Sequence, residues 1–256
     1  MLRTYSVSSD IKRALGSKGF LFGIAGMVLL IAITSLSSIL PKIQSGGILS
    51  NGYHGKLILD ALISDDVTLA LPILCTLPFT AAFVDDIKSG FIKQYLPRSG
   101  VKSYIKGKLI ACGLSGGLVL FLGIMISYGL SALIVTPMEL ALAKNMVAEP
   151  YFAQVLMRAA TIFLSGAFWS LVGFTFAALT MSKYMAYASP FILYYVLIIL
   201  NERYFEKVYV FYPKEWLSPT KGWVFGTFGM ILLLAELTTV VALAFVITAR
   251  RRLEDV

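Results

Sequence analysis

The chain has 256 residues, of which 58% are hydrophobic and 14% are charged. Soluble domains carry about 25% charged residues, so this composition excludes an ordinary soluble enzyme or binding domain. The net charge of +8 is distributed between apolar runs, which is typical of loops beside anionic lipid headgroups and argues against a nucleic-acid partner. The two cysteines, Cys75 and Cys112, lie inside apolar runs, so neither a disulfide framework nor a metal site is expected.

Long apolar runs divide the chain into segments that can cross a bilayer. A helix needs about 20 residues to cross the hydrocarbon core. Runs of that order predict six membrane spans, over 19–40, 67–84, 109–135, 155–180, 184–200 and 224–247. They lack the alternating pattern of barrel strands, so they are expected to be helices. We therefore predict an all-α polytopic membrane protein in which residues 1–256 form one transmembrane domain.

The segment before the first predicted span, residues 5–18, has the pattern of a short interfacial helix. Ser8 or Ser9 can cap its N-terminus. Ile11, Leu15 and Phe20 can face the interface while Lys12 and Arg13 point outward. The alternative is a frayed basic tail.

The most informative polar segment, residues 85–100, lies between the second and third predicted spans. A helix here places its apolar residues on one side: Ile87, Phe91, Ile92, Tyr95 and Leu96. Asp85 and Asp86 favour a helix N-terminus, and Pro97 and Gly100 are expected to end the helix. Two interpretations have equal physical support, an interfacial helix held by anionic lipid and a docking element for a cytoplasmic partner.

Two features inside the predicted spans also bear on packing and function. Gly116 and Gly117, in the third span, are expected to allow close helix packing. Glu236 is the only acidic residue deep inside a predicted span, which makes it a functional candidate because an ionisable group in the membrane is costly. The structural alternative is a protonated glutamate hydrogen-bonded to a neighbouring helix.

The fourth and fifth predicted spans share a short turn at Ser182 and Lys183, which indicates an antiparallel pair. Residues 201–223, which follow the fifth span, are rich in aromatic side chains, and an aromatic belt at the membrane surface is the default explanation. Their interleaved charges also fit short helices that dip back toward the membrane, with Pro213 and Pro219 at the breaks.

The basic residues predict an orientation. With the N-terminus inside, eight of the 22 lysines and arginines fall outside: Lys42, Lys56, Lys144, Arg158, Arg203, Lys207, Lys214 and Lys221. The other 14 fall on the cytoplasmic side, in agreement with the positive-inside rule. We therefore expect both termini in the cytoplasm of a multi-pass plasma-membrane protein.

A succession of short motifs in this chain resembles the type-2 ABC transporter permeases. An acidic pair closes the second span and is followed by Lys-Ser-Gly-Phe-Ile-Lys over 88–93, an Arg-Ser-Gly turn, and Tyr-Ile-Lys-Gly-Lys over 104–108. Those permeases are the six-span membrane subunits of ATP-driven exporters. The resemblance implies an N-terminal elbow helix on the inner leaflet, a cytoplasmic coupling helix between spans 2 and 3, and short outer re-entrant helices between spans 5 and 6.

The resemblance also implies the partners and a site. The segment that would dock on the ATPase contains Asp85, Asp86, Lys88, Gly90, Phe91, Tyr95 and Arg98. The chain has no G-x-x-x-x-G-K-[ST] motif, so ATP and Mg²⁺ are expected on cytoplasmic ABC ATPase subunits in separate chains. This chain is expected to be non-catalytic, to hold no cofactor or metal, and to form the pathway with a second permease copy, identical or similar, in membrane lipid.

Two rival functions belong to other classes. An ion-coupled secondary carrier would use Glu236, but the chain has one such intramembrane charge and lacks the internal repeat that many carriers show. A non-transporting membrane scaffold or immunity protein is the third hypothesis. An apolar or amphipathic substrate is expected for an exporter because the spans carry few charges.

Overall fold

The computed structural model describes residues 2–44, 49–139, 150–205, 208–219, 221–223 and 225–254. These ranges contain eleven α-helices: α1 Leu2–Leu15, α2 Lys18–Gln44, α3 Tyr53–Ile63, α4 Asp65–Leu74, α5 Ala82–Lys88, α6 Phe91–Ser99, α7 Val101–Val135, α8 Tyr151–Thr180, α9 Lys183–Arg203, α10 Pro213–Leu217 and α11 Gly226–Glu254. Two 3₁₀ helices, Thr136–Met138 and Tyr209–Phe211, lie between them. The described ranges contain no β-strand, only a single bridge between Leu49 and Glu139.

Five helices in the described part of the chain are long and apolar enough to cross a membrane, namely α2, α7, α8, α9 and α11. Large apolar side chains cover the outside of the bundle; Phe22 is 68% exposed and Leu133 is 76% exposed. Such a surface suits contact with lipid, since monomeric soluble proteins rarely expose extensive apolar patches. The prediction of an all-α membrane protein is confirmed at this level.

The second predicted span, residues 67–84, is not one helix. It folds as α4, a turn over 75–81 and the beginning of α5. Pro72 lies inside α4 and Pro78 lies in the turn, and each proline removes a backbone donor. The turn is tolerated because it is buried by protein, as at Thr76 and Thr80. The described part of the chain therefore has five continuous helices long enough to span a membrane, and this interrupted segment where a sixth span was predicted.

Close approaches between helices depend on glycine. A methyl group at Gly19 of α2 would lie 2.0 Å from the carbonyl oxygen of Leu77 in the buried turn. A methyl group at Gly116 of α7 would lie 2.5 Å from Cβ of Ser170 in α8. Atoms do not approach this closely, so both contacts require glycine. The close packing predicted for the third span is confirmed at Gly116.

Short helices are present between α9 and α11, where they were predicted. Trp216 of α10 is 1% exposed, donates its indole N–H to the carbonyl of Val210 at 2.8 Å, and stacks on Trp169 of α8 at 6.1 Å between ring centroids. Arg158 of α8 donates to the carbonyl of Leu217. This part of the 201–223 segment is therefore packed into one end of the bundle.

Candidate functional site

The predicted coupling segment forms two helices instead of one. α5 ends two residues before Gly90, which has a left-handed backbone (φ 72°), and α6 begins at Phe91. A glycine adopts this conformation without the steric cost that a side chain brings. Asp85 lies in the first turn of α5, which agrees with its predicted place at a helix N-terminus, but Asp85 and Asp86 both precede the turn at Gly90 and so do not begin the amphipathic helix α6.

α6 is amphipathic, as the sequence predicts. Ile92 is 1% exposed, whereas Phe91 is 44% exposed. The Phe91 ring stacks on Tyr95 with 5.1 Å between centroids, and Tyr95 contacts Tyr104 of α7 edge-on at 5.9 Å. An exposed aromatic is thus joined to a spanning helix through two ring contacts.

The remaining residues of the segment flank this aromatic pair in the chain. Lys88 and Lys93 are exposed. Pro97 lies inside α6 and does not end it, whereas Gly100 (φ 74°) does. Arg98 belongs to the last turn of α6, and its side chain lies outside the described residues.

Four charged side chains meet between α1, α5 and α7, and we call them the charge network: Asp10, Arg13, Asp86 and Lys108. Lys108 Nζ lies 2.7 Å from Asp86 Oδ2 and 2.9 Å from Asp10 Oδ1. Arg13 Nη1 lies 2.7 Å from Asp86 Oδ1. Asp86 and Lys108 are each 1% exposed. Two anions and two cations balance, which is the condition under which charges are buried in proteins.

Polar and aromatic groups complete the surroundings of the charge network. The hydroxyl of Tyr104 donates to Asp86 Oδ2 at 3.0 Å. The Phe79 ring lies 4.9 Å from Lys108 Nζ and 5.9 Å from the Arg13 guanidinium carbon, distances at which a ring face attracts a cation. Burial alone would lower the pKa of Arg13, but the hydrogen bond and charge of Asp86 outweigh burial and raise it. Arg13 therefore stays charged.

Sequence reasoning did not find this network. Asp86, which was expected at a helix N-terminus, points into the bundle and is almost fully buried. Arg13 is about half exposed, in agreement with its predicted outward position, but its guanidinium also reaches Asp86. Asp10 and Arg13 are three residues apart and so share one side of α1. Two sequence features could have indicated the charge network. One is this spacing, and the other is the pair of opposite charges at the edges of two apolar runs, Asp86 and Lys108.

The N-terminal helix precedes the first span, as predicted, but it starts earlier. α1 begins at Leu2, so Ser8 and Ser9 both lie inside it and neither caps it. Ile11 is partly buried and packs against buried Ala14 and its neighbours. α1 is therefore held against the bundle by apolar packing as well as by the charge network.

A second polar cluster lies at the other end of α7. Glu139 accepts the backbone N–H groups of Gly52 at 2.8 Å and His54 at 2.7 Å, and its Oε1 lies 2.9 Å from His54 Nδ1. Burial would raise the pKa of Glu139, but the hydrogen bonds from His54 and Gly52 outweigh burial and lower it. A carboxylate at the first turn of α3 stabilises that helix, so this cluster joins α3 to the end of α7.

Glu236 lies on the outside of α11. It is exposed and borders a cavity of about 260 Å³ together with Tyr209 and Trp223. Within the described part of the chain, Glu236 has no ion pair and no hydrogen bond to a neighbouring helix.

The described residues contain no group of three or more side chains that could hold a metal ion. The chain matches no protein-family model, and no curated protein or solved structure is significantly similar to it. Its function is therefore inferred from the geometry of its own residues, among which α6 and the charge network form the best-defined site.

Proposed function

We propose that the chain is the non-catalytic permease subunit of an ABC-type exporter, driven by separate ATPase chains. The observation that carries this proposal is the exposed Phe91 on α6, stacked on Tyr95 at the end of the bundle where α1 and α7 begin. Large aromatic side chains dominate the energetics of protein interfaces. A short helix that presents one beside exposed lysines is suited to hold a soluble partner.

A short path leads from α6 to the spans. Tyr95 contacts Tyr104, Tyr104 donates to Asp86, and Asp86 pairs with Lys108 of α7 and Arg13 of α1. Packed interiors have low compressibility and transmit strain. A partner that pushes on α6 would therefore move α1, α5 and α7 as a unit, which is what an ATP-driven cycle requires of a membrane subunit.

The contacts among the ends of α5, α8 and α11 and the start of α9 support six membrane crossings with both termini in the cytoplasm. Arg252, near the end of α11, donates to the carbonyl of Leu179 at the end of α8. Lys183, at the start of α9, forms an ion pair with Asp85 of α5. The ends of α5, α8 and α11 therefore lie together. In the proposed topology α4 and α5 make the second crossing, and the 201–223 segment lies outside and caps the pathway.

The docking surface is tested by a double variant, Phe91→Ala with Tyr95→Ala. The expected partner is a P-loop ATPase encoded in a neighbouring reading frame. The chain is co-expressed with it, and co-purification and ATPase activity are measured. Loss of one interface hot spot costs about 2 kcal/mol or more, so the complex should dissociate at working concentrations while membrane insertion stays normal.

A matched control truncates two aromatics at the other end of the bundle, Phe211 and Phe225, which are 50% and 79% exposed. The control should leave co-purification and ATPase activity unchanged. Full co-purification and ATPase activity of the Phe91→Ala, Tyr95→Ala variant would contradict the assignment of α6 as the docking surface. An equal loss of co-purification in the control would show that removing exposed aromatics destabilises the protein non-specifically.

A second candidate function is an ion-coupled carrier, favoured by the exposed carboxyl of Glu236 beside a cavity. Glu236→Gln separates the two, because an amide resembles a protonated acid in hydrogen bonding but does not change charge. The exporter should retain most of its ATP-dependent activity in this variant. An inactive but stable variant would favour the carrier.

A further inference from the structure

A cavity of about 1130 Å³ lies between α1 and the beginning of α7, outside the docking surface and the charge network. We call it the basic groove and define it by three apolar and three basic side chains: Val7, Ile11, Ile110, Lys12, Lys102 and Lys106. Ile110 is 38% exposed, and the three lysines are all exposed. The groove therefore combines an apolar floor with a rim of positive charge.

The lysines of the basic groove have no anionic partner in the described part of the chain. None of Lys12, Lys102 and Lys106 forms an ion pair there. The two carboxylates of the charge network, Asp10 and Asp86, are already balanced by Lys108 and Arg13. Three positive charges around one cavity therefore have no counter-ion among the described residues, and an anion bound there would be attracted by all three.

The position of the groove specifies the kind of anion. α7 continues from the lysines directly into an apolar span, and Ile110 lies one helical turn beyond Lys106. Lysines just outside a span lie at the height of lipid headgroups, and basic pockets of this kind bind anionic headgroups. A free inorganic anion would satisfy the lysines but would leave the apolar floor in contact with water, which is unfavourable.

We infer that the basic groove binds an anionic phospholipid. Its phosphate would lie among Lys12, Lys102 and Lys106, and the first carbons of an acyl chain would cover Ile11 and Ile110. A lipid bound in this way joins α1 to α7 from outside, as the charge network joins them from inside. Anionic lipid should therefore stabilise the fold of this end of the protein. The inference does not depend on the proposed export function.

The test measures the melting temperature of the purified full-length chain in neutral detergent during titration with phosphatidylglycerol or phosphatidylcholine. Wild type should be stabilised more by the anionic lipid than by the zwitterionic one. The triple variant Lys12→Gln, Lys102→Gln, Lys106→Gln should bind phosphatidylglycerol on the order of a hundredfold more weakly. Each lysine near an anionic lipid surface raises the affinity about fivefold, and the three factors multiply.

Two matched variants distinguish a built site from general attraction. Lys18→Gln, Lys88→Gln, Lys93→Gln changes the net charge equally at exposed positions outside the groove and should bind the anionic lipid as wild type does. Lys12→Arg, Lys102→Arg, Lys106→Arg keeps the charge and should also retain binding, which guards against a folding defect as the explanation.

Several outcomes would overturn the inference. Equal stabilisation of wild type by phosphatidylglycerol and phosphatidylcholine would exclude an anionic-lipid site. Equally weakened phosphatidylglycerol binding in the groove variant and in the Lys18, Lys88, Lys93 variant would show that net charge, and not the groove, accounts for the binding. Full stabilisation of wild type by inorganic phosphate or by glycerophosphoglycerol alone would assign the groove to a soluble anion.

Discussion

Asp86 is surrounded by two cations and a tyrosine hydroxyl, all of which belong to helices other than its own. Taking charges out of water costs several kcal/mol per ion, and their attraction offsets that cost only when good geometry and further hydrogen bonds accompany it. Both carboxylate oxygens of Asp86 have partners. The network is therefore favourable only as a complete set, and the loss of Asp86 leaves the buried Lys108 without one of its two anionic partners.

The first prediction concerns this residue. Asp86→Asn removes the charge that balances Arg13 and Lys108, and we expect a loss of about 3–5 kcal/mol in the free energy of unfolding. Chemical or thermal unfolding in detergent measures it. Adding Lys108→Met should recover part of the loss, because the uncompensated cation is then replaced by an apolar side chain of similar length.

The control for Asp86 is the neighbouring carboxylate. Asp85 pairs with Lys183 where both side chains are substantially exposed, so Asp85→Asn should change stability much less. Equal losses for the two substitutions would show that the charge network contributes no more than a surface ion pair.

At the scale of single helices, the sequence predicts where an apolar segment lies better than it predicts whether that segment is one unbroken helix. Hydropathy locates the apolar run over 67–84, but it is insensitive to whether the backbone stays helical. Pro72 and Pro78 were the local signals of a break. The 11-residue helix α3 was missed because it is shorter than a span and contains Lys56 and Asp60.

The candidate site was predictable to the extent that it is local. The apolar side of α6 follows from the spacing of Phe91, Ile92 and Tyr95, and the structure has that side. The charge network joins Arg13 to Asp86 across 73 positions of the chain. A contact at that separation depends on how α1 packs against α5 and α7, which periodicity within one helix does not specify.

The second prediction compares two glycines of the same helix, α7. Gly116→Ala places a methyl group 2.5 Å from Ser170 Cβ and 2.8 Å from the carbonyl oxygen of Cys75, whereas the corresponding methyl at Gly129 meets no atom within 4 Å. Overpacking a helix contact costs about 1–3 kcal/mol. Gly116→Ala should therefore lower the melting temperature in detergent, and Gly129→Ala should leave it unchanged or raise it, because alanine favours helix.

Equal effects of the two alanines would contradict the packing of α7 against α8. The Gly129 variant also controls for any general effect of the substitution on helix propensity.

At the scale of the whole molecule, the main core of the described residues is closely packed and has an aromatic cluster around Trp169. Trp169 packs against Phe168, Tyr194 and Trp216, with ring centroids separated by 4.9 to 6.1 Å. A core packed in this way leaves little room for a substrate, since protein interiors are as dense as organic crystals. This supports the part of the proposal in which the pathway forms between two permease copies.

The last prediction concerns the orientation of the whole molecule. The native thiols, Cys75 and Cys112, are buried, so a membrane-impermeant maleimide should report only on an introduced cysteine. Lys221 and Lys93 are both exposed and lie at opposite ends of the bundle in the proposed topology. From the excess of basic residues on the inner side, we expect Lys221→Cys to react in intact cells and Lys93→Cys to react only after permeabilisation. The reverse pattern would invert the topology and move α6 away from any cytoplasmic ATPase, and labelling of both positions in intact cells would show that they lie on the same side.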